Sequence, residues 1–113
     1  MTTQEGNEII LKFLGWKYNK EMDKYIKGSM TFPLSYFNYK EWNKLIPIYN
    51  LIWKKSILDY SPHSLQITIE REFEHMSEDF IIGIMKDDIK LSYKVLADFL
   101  AEYYKALKIH EHD

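Results

Sequence analysis

The chain has 113 residues, no cysteine and a formal net charge of −2. This length suits one domain, and a small domain without disulfide bonds is typical of a reducing compartment, so the sequence predicts a single cytoplasmic domain over residues 1–113. The basic residues are interleaved with acids along the whole chain, and only one of them is an arginine. This distribution argues against duplex DNA as a partner. No uncharged run is long enough to cross a membrane.

The first part of the chain predicts a helix followed by a small hairpin. Residues 4–14 carry apolar side chains at the helical spacing of three to four, and Gly15 follows as a stop. The segment 16–18 then alternates aromatic and charged residues, and Tyr25 comes after a polar stretch. We therefore expect two short strands joined by a turn near Asn19.

Residues 28–38 carry no charge and predict a loop, because a glycine and a proline punctuate them. This segment contains the aromatic residues Phe32, Tyr36 and Phe37, which are costly to leave in water. The rings either fold back on the core of the domain or form an interface or the wall of a ligand site. We assign Phe32, Tyr36 and Phe37 as a candidate interface.

Residues 39–58 predict a second helix, because their apolar side chains form one stripe at helical spacing. Asn38 is its expected N-cap. Pro47 lies inside the pattern and is expected to kink the helix or to start a new one, since the proline ring displaces a carbonyl one turn earlier.

Two strands and a last helix are predicted for the remaining residues. Residues 65–73 alternate apolar and polar side chains, as in a half-buried strand. Residues 80–85 are apolar on both faces, as in a more central strand, and the segment HMSED between the two predicts a turn. The last helix is predicted over residues 87–107, beginning with two acids that the helix dipole favours at an N-terminus.

This order of elements predicts an α+β fold, with a small antiparallel sheet packed against two or three helices. The chain also has nine Tyr, six Phe and three Trp. A domain of this size is not expected to bury so many rings alone. We therefore expect a homo-oligomer, most simply a dimer.

Arg71 is the most informative charged residue, because the predicted strand places it on the same face as apolar side chains. A charge there must be paired or must reach the rim. It either pairs with a carboxylate of a helix, extends to solvent, or anchors an anion such as phosphate or carboxylate. Together with Trp16, Tyr18 and Tyr25 of the predicted hairpin, Arg71 is assigned as a candidate ligand-binding residue.

The sequence carries no catalytic signature. It has no Gly-rich phosphate loop, no thiol nucleophile and no HExxH zinc motif. His63 and His75 lie in predicted turns, where a solvated side chain is a simpler interpretation than a catalytic or metal-binding one. We predict a protein that is not an enzyme, without catalytic residues, metal ligands or cofactors, and a small hydrolase is the least favoured alternative.

Three segments carry a resemblance to a known group of proteins. They are FLGW at residues 13–16 followed by Tyr18, WNKLIPI at residues 42–48, and ADFLAEYY at residues 97–104. This scattered pattern resembles small phage and prophage accessory proteins, which have an FMGW-like start, a Trp-containing helix with Leu-(Ile or Met)-Pro, and an aromatic last helix. Residues 27–38 have no counterpart in that pattern, and the resemblance carries over no site residue.

The resemblance implies a viral protein of the host bacterial cytoplasm, where small acidic non-enzymatic proteins often antagonise host defence. The lysines, Arg71 and the aromatic residues favour a binding protein that sequesters a small anionic, nucleotide-like immune signal. The alternative is a protein–protein inhibitor of a host defence effector, of the anti-CRISPR kind, that covers its partner with the loop at residues 28–38.

Overall fold

A computed structural model describes the backbone of residues 1–54 and 63–111, and the side chains of residues 1–54 and 69–106. Within these ranges the chain has four α-helices, a three-stranded antiparallel sheet and one 3₁₀ turn, which is the predicted α+β class. In chain order the elements are α1 (Thr3–Phe13), β1 (Lys17–Asn19), β2 (Lys24–Lys27), β3 (Met30–Phe32), the 3₁₀ turn (Leu34–Tyr36), α2 (Trp42–Lys54), α3 (His63–Met85) and α4 (Ile89–Glu111).

Helix α1 is closed at both ends by short-range hydrogen bonds. Glu5 N donates to Thr2 Oγ1 (3.1 Å) and Thr2 N donates to the Glu5 carboxylate (3.3 Å), which together form a capping box. At the other end Gly15 has a φ of 92°, a left-handed conformation that favours glycine, and Trp16 N donates to Leu11 O (3.0 Å). The predicted helix and its glycine stop are confirmed, and the turn leads directly into β1.

The predicted small hairpin is also confirmed, and a third strand extends it. β1 pairs with β2 and β2 with β3, so that Tyr18, Tyr25 and Phe32 form one row across the sheet. The connection between β2 and β3 has two residues, and Gly28 has a φ of 61°, as a type II′ hairpin requires at its first position. The prediction of a loop over residues 28–38 was therefore wrong, because much of that segment is β3 and the 3₁₀ turn.

Helix α3 is the largest difference from the sequence prediction. The strands predicted at residues 65–73 and 80–85 are wrong, because both ranges belong to one helix. The described side chains that face the core recur at spacings of four, three, four and three residues: Ile69, Phe73, Met76, Phe80 and Gly83. The predicted turn HMSED lies inside this pattern and contains no glycine or proline that would stop a helix.

Helices α3 and α4 form a closely packed antiparallel pair. An added Cβ at Gly83 would lie 2.0 Å from Ser92 Oγ and 3.0 Å from Asp88 O. Ser92 is fully buried, and its hydroxyl donates to Phe80 O (2.8 Å). The helices can approach this closely because residue 83 has no side chain.

Two consecutive aspartates fix the turn between these helices in different ways. Asp87 has a φ of 52°, and Asp88 N donates to Gly83 O (2.7 Å), as in a Schellman motif that closes α3. Asp88 Oδ1 accepts from Leu91 N (3.2 Å) and so caps α4. Asp87 Oδ1 accepts from Trp42 Nε1 (2.9 Å), which ties the start of α2 to the turn.

Helix α2 begins three residues later than predicted. Asn38 is not its N-cap, since Asn38 Oδ1 accepts from Lys40 N (3.1 Å) before the helix starts. Pro47 lies inside α2, which continues past it to Lys54. The predicted end of this helix at residue 58 lies outside the described residues.

Aromatic rings join α2 to the pair of long helices. Tyr49 stacks on Phe80 with ring centroids 4.4 Å apart and planes 5° apart. Trp53 meets Phe73 edge-on at 4.7 Å, and Phe73 in turn meets Phe99 at 5.6 Å. These contacts close the helical part of the core, because rings join α2 to α3 at two places and α3 to α4 at a third.

We expect Gly83→Ala to destabilise the protein. In an open helix this change would stabilise by about 1 kcal/mol, but here the new methyl group meets Ser92, and overpacking of this kind costs about 1–3 kcal/mol. Urea unfolding measures the difference. Adding Ser92→Gly should make the two changes non-additive and recover part of the loss, whereas a Gly83→Ala protein as stable as the wild type would contradict the close crossing.

Candidate functional site

The aromatic residues singled out from the sequence come together in one aromatic cluster. We use this name for Trp16, Tyr18, Tyr25, Phe32, Tyr36, Phe37 and Tyr39. Phe37 is at its centre, because its ring lies 5.0–6.3 Å from five other rings of the cluster. The candidate ligand-binding rings and the candidate interface rings therefore belong to a single feature.

The members of the cluster differ in their exposure. Tyr25 is 8% exposed and belongs to the core, and Phe37 is half-buried. Tyr18 is 51% and Tyr36 60% exposed. Tyr25 therefore belongs to the core and Tyr18 and Tyr36 reach solvent, while an interface at the outer rings stays a prediction.

Phe32 and Tyr36 form a stacked pair at the outer side of the cluster. Their ring centroids are 4.0 Å apart and their planes differ by 10°. The 3₁₀ turn holds Tyr36 in place, since Tyr36 N donates to Pro33 O (3.0 Å) and Phe37 N donates to Leu34 O (3.1 Å). One exposed ring is thus fixed against a second ring and a hydrogen-bonded turn.

Tyr18 is the second exposed ring, and it is fixed by its hydroxyl group. The Tyr18 hydroxyl donates to the Asp23 carboxylate, and this hydrogen bond raises the pKa of Tyr18 above its ordinary value. Asp23 itself has a φ of 51° in the turn between β1 and β2. Asn19 Oδ1 accepts from Met22 N (3.0 Å) and closes the same turn.

A buried polar chain connects the cluster to α1 and α4. Asn7 Nδ2 donates to Phe37 O (3.3 Å), and the Tyr93 hydroxyl lies 2.7 Å from Asn7 Oδ1 and 3.0 Å from Thr3 O. A Cβ at Gly6 would lie 2.4 Å from the Tyr93 hydroxyl oxygen, so glycine is needed there. Burial raises the pKa of Tyr93 to about 12, which keeps the hydroxyl group a donor.

Arg71 does not join the aromatic cluster. It lies on α3, nine residues before the buried Phe80. Nine residues make about two and a half helical turns, so Arg71 is on the side of the helix opposite the core. Its predicted position on an apolar strand face was wrong. The described contacts include none between Arg71 and Trp16, Tyr18 or Tyr25, and no ion pair of Arg71 with a described side chain. Its role as an anion anchor stays a prediction.

Two cavities lie between described residues. One of about 230 Å³ between α3 and α4 is lined by Ile69, Glu72, Phe99, Glu102, Tyr103 and Ala106. Another of about 340 Å³ lies beside α2 and is lined by apolar residues with Asn43 and Lys44. The first has only acids as charged groups, and Lys44 of the second pairs with Glu41 (3.3 Å), so neither favours a phosphate group. Among the described side chains, no group of three His, Asp or Glu residues is placed to hold a metal ion.

The sequence interpretation missed an exposed apolar surface at the end of α3. Ile81, Ile82, Ile84 and Met85 are all exposed, and Met85 is 80% exposed. The signal was present in the sequence, because residues 80–85 are apolar on both faces. A strand with two buried faces and a helix with one exposed apolar face produce the same pattern over so short a segment.

Comparison with known proteins finds no relative for the chain. No protein-family model, no curated protein and no solved structure matches it. None of the described helices is both long and apolar enough to cross a membrane. The resemblance to phage accessory proteins stays a prediction, and function has to be argued from the geometry.

We expect Phe37→Ala and Tyr36→Ser to differ strongly in stability. Phe37 contacts five rings, so its truncation should lower the free energy of unfolding by about 3 kcal/mol or more. Tyr36 is mostly exposed, and its loss should cost less than about 1 kcal/mol. Urea unfolding of the two variants tests this, and equal losses would contradict the division of the cluster into inner and outer rings.

Tyr93→Phe tests the buried polar chain through its pH dependence. The folded state raises the pKa of Tyr93 to about 12 from an ordinary value of 10, so this contribution to stability is complete below pH 10 and is lost as the pH rises towards 12. The variant should lose about 1–2 kcal/mol at neutral pH and show a shallower alkaline decline. Thermal melts from pH 8 to about 12 measure it, with Tyr36→Phe as the control for an exposed hydroxyl. Parallel alkaline declines of Tyr93→Phe and wild type would contradict the assignment.

Proposed function

We propose that this chain is a non-catalytic binding protein that docks on a partner protein through the outer side of its aromatic cluster. The observation that carries the proposal is the stacked pair of Phe32 and Tyr36, with Tyr36 60% exposed. Tyr18 supplies a second fixed and exposed ring. Aromatic residues that present a large area from a fixed position are typical anchors of protein interfaces.

The rigidity of the ring pair supports this proposal energetically. Binding usually costs about 0.5–1.5 kcal/mol for each mobile side chain that it immobilises. Tyr36 is already held by Phe32 and by the hydrogen bonds of the 3₁₀ turn. A partner that covers this ring therefore gains contact area with little further loss of side-chain entropy.

Among the described contacts, no lysine or arginine lies over Phe32 or Tyr36. Lys27 Nζ donates to Leu14 O (2.8 Å) and Lys40 Nζ donates to Thr3 Oγ1 (2.9 Å), so these two side chains are directed at the two ends of α1. Arg71 lies on another element. A nucleotide would need a cation close to the stacking ring to hold its phosphate. The sequestration of a nucleotide-like signal stays the competing prediction.

The class of partner follows from the resemblance stated above. If the chain acts in a bacterial host, the first partners to test are host defence effectors, as the inhibitor hypothesis proposes. The homo-oligomer expected from the aromatic content is a separate prediction, because the ring pair could contact either a second copy or another protein. Light scattering gives the mass in solution and separates the two.

We expect Tyr36→Ser to lose the partner while keeping the fold. The tagged wild type and variant are used to capture proteins from a bacterial lysate, and bands present only with the wild type are identified and tested as purified proteins. Trp53→Ser is the control for loss of an exposed ring elsewhere, because Trp53 is 58% exposed and lies on α2. Trp53 also contacts Phe73, so circular dichroism first confirms that both variants keep the fold. Purified partner that binds the wild type and the Trp53 variant equally, and binds Tyr36→Ser at least tenfold more weakly, would support the proposal.

Two outcomes count against it. A partner that binds the Tyr36 variant as tightly as the wild type would remove the ring pair from the interface. A large thermal shift with a nucleotide, which is about 2.7 kcal/mol at a hundredfold excess over Kd, would favour the sequestration hypothesis if Tyr36→Ser abolished the shift.

A further inference from the structure

One side of α3 forms a continuous exposed stripe with two chemically different halves. We call it the outer stripe and define it by five exposed residues spaced three to four apart on the side opposite Phe80, which are Arg71, Glu74, Glu78, Ile82 and Met85, together with the exposed Ile81 at its edge. Its first half is charged and mostly acidic. Its second half is aliphatic, with Ile81 47%, Ile82 39% and Met85 80% exposed.

This stripe is unusual for the solvent face of a helix. The face away from the core normally carries polar residues throughout, and the apolar residues of α3 that pack inwards are a different set. Together Ile81, Ile82 and Met85 expose a contiguous apolar patch, and the largest patch of this kind on a protein is often functional. Met85 lies one helical turn from both Ile81 and Ile82, so the three side chains can contact one face of a second helix.

The charges around the patch define the chemistry of its partner. The exposed acids of this part of the chain are Glu70, Glu72, Glu74, Glu78, Asp79, Asp87 and Asp88, whereas the exposed cations are Arg71 and Lys86. None of these acids forms an ion pair with another described side chain. An apolar patch bordered by unpaired negative charge favours a surface that combines aliphatic residues with lysine or arginine.

We propose that the outer stripe of α3 binds a basic amphipathic helix of a partner protein. Aliphatic side chains of that helix contact Ile81, Ile82 and Met85, and its basic residues lie opposite Glu74 and Glu78. The stripe from Arg71 to Met85 is about 21 Å long, so the partner needs a helix of about 14 residues or more. This surface is separate from the aromatic cluster, and the inference does not depend on the proposed function.

A second copy of the chain fits the stripe less well. Two antiparallel stripes that meet at their aliphatic halves bring Glu78 of each copy towards Asp87 of the other, and this like-charge contact opposes association. An anionic membrane surface is also disfavoured, because the acids next to the patch repel it. A basic helix satisfies both halves of the stripe at once.

The test uses two synthetic helical peptides of about 16 residues. The contact face of one carries leucines in one half of its length and lysines in the other half, and the second peptide has glutamate in place of lysine. Binding to the full chain is measured by isothermal calorimetry at low and physiological salt. We expect the lysine peptide to bind, to weaken as salt rises, and to bind at least tenfold more tightly than the glutamate peptide.

Variants locate the binding on the chain. Ile81→Ser with Met85→Ser should weaken the lysine peptide about tenfold or more, and Glu74→Lys with Glu78→Lys should have an effect of similar size. Glu21→Lys with Glu102→Lys makes the same change of net charge at exposed positions elsewhere and should leave the affinity within about twofold, as should Tyr36→Ser. Far-UV circular dichroism confirms the fold, and Met85→Lys alone replaces the double serine variant if the latter is unfolded.

Any of four results would overturn the inference. Three of them are equal affinity for the two peptides, unchanged affinity of the Ile81 and Met85 variants, and an equal loss in the Glu21 and Glu102 control. Loss of peptide binding in Tyr36→Ser would also overturn it, since the site would then belong to the aromatic cluster. Loss of the lysate partner in Tyr36→Ser with peptide binding intact would support both surfaces independently.

Discussion

Two consecutive residues of α4 fix it against α1 and α3, and each occupies the space that a glycine leaves on one of these helices. Ser92 fits against Gly83 of α3, and Tyr93 fits against Gly6 of α1. Because neighbouring helical residues point about 100° apart, α4 contacts these two helices with two adjacent sides. The Tyr93 hydroxyl is hydrogen-bonded to Asn7, and Asn7 donates to the backbone carbonyl of Phe37, the central residue of the aromatic cluster.

This arrangement explains why the local pattern predicted some elements well and others poorly. The signals that specify α1 and the hairpin of β1 and β2 lie within the elements themselves or next to them, as the glycine stop after α1 and the short alternating runs. Their prediction was correct because no distant residue is needed to define them. The third strand could also have been predicted, because Gly28-Ser29 between two strands is a typical two-residue hairpin connection.

Helix α3 could not be separated from strands by the same rules. Its segment 65–73 alternates apolar and polar residues, and its end is apolar on two sides, so both halves fit strand templates when considered separately. The helix is specified by contacts with distant residues: Gly83 meets Ser92, Phe73 meets Phe99, and Phe80 meets Tyr49. The ring partners of Phe73 and Phe80 lie 26 and 31 residues away in the sequence, and a local window does not contain them. The wrong assignment of α3 also placed Arg71 on the wrong face. The aromatic residues were assigned to two separate sites, a ligand site and an interface, whereas the structure joins them in one cluster because β3 and the 3₁₀ turn bring Phe32, Tyr36 and Phe37 to the hairpin.

The central position of α4 also separates the two proposed surfaces. The aromatic cluster is connected to α4 through α1, by way of Asn7 and Tyr93. The outer stripe lies on the side of α3 that faces away from the core, and α3 meets α4 at Gly83 and Ser92. No described hydrogen bond or ring contact runs from Glu74, Glu78 or the exposed isoleucines to the cluster. The side chains of the two surfaces share no partner among these contacts, and substitutions at separate exposed sites usually have additive effects. A partner with one aromatic-binding groove and one basic helix could engage both surfaces together. Helix α4 would then fix the distance between the two contacts. Once the first contact has formed, the second would form at a high effective concentration.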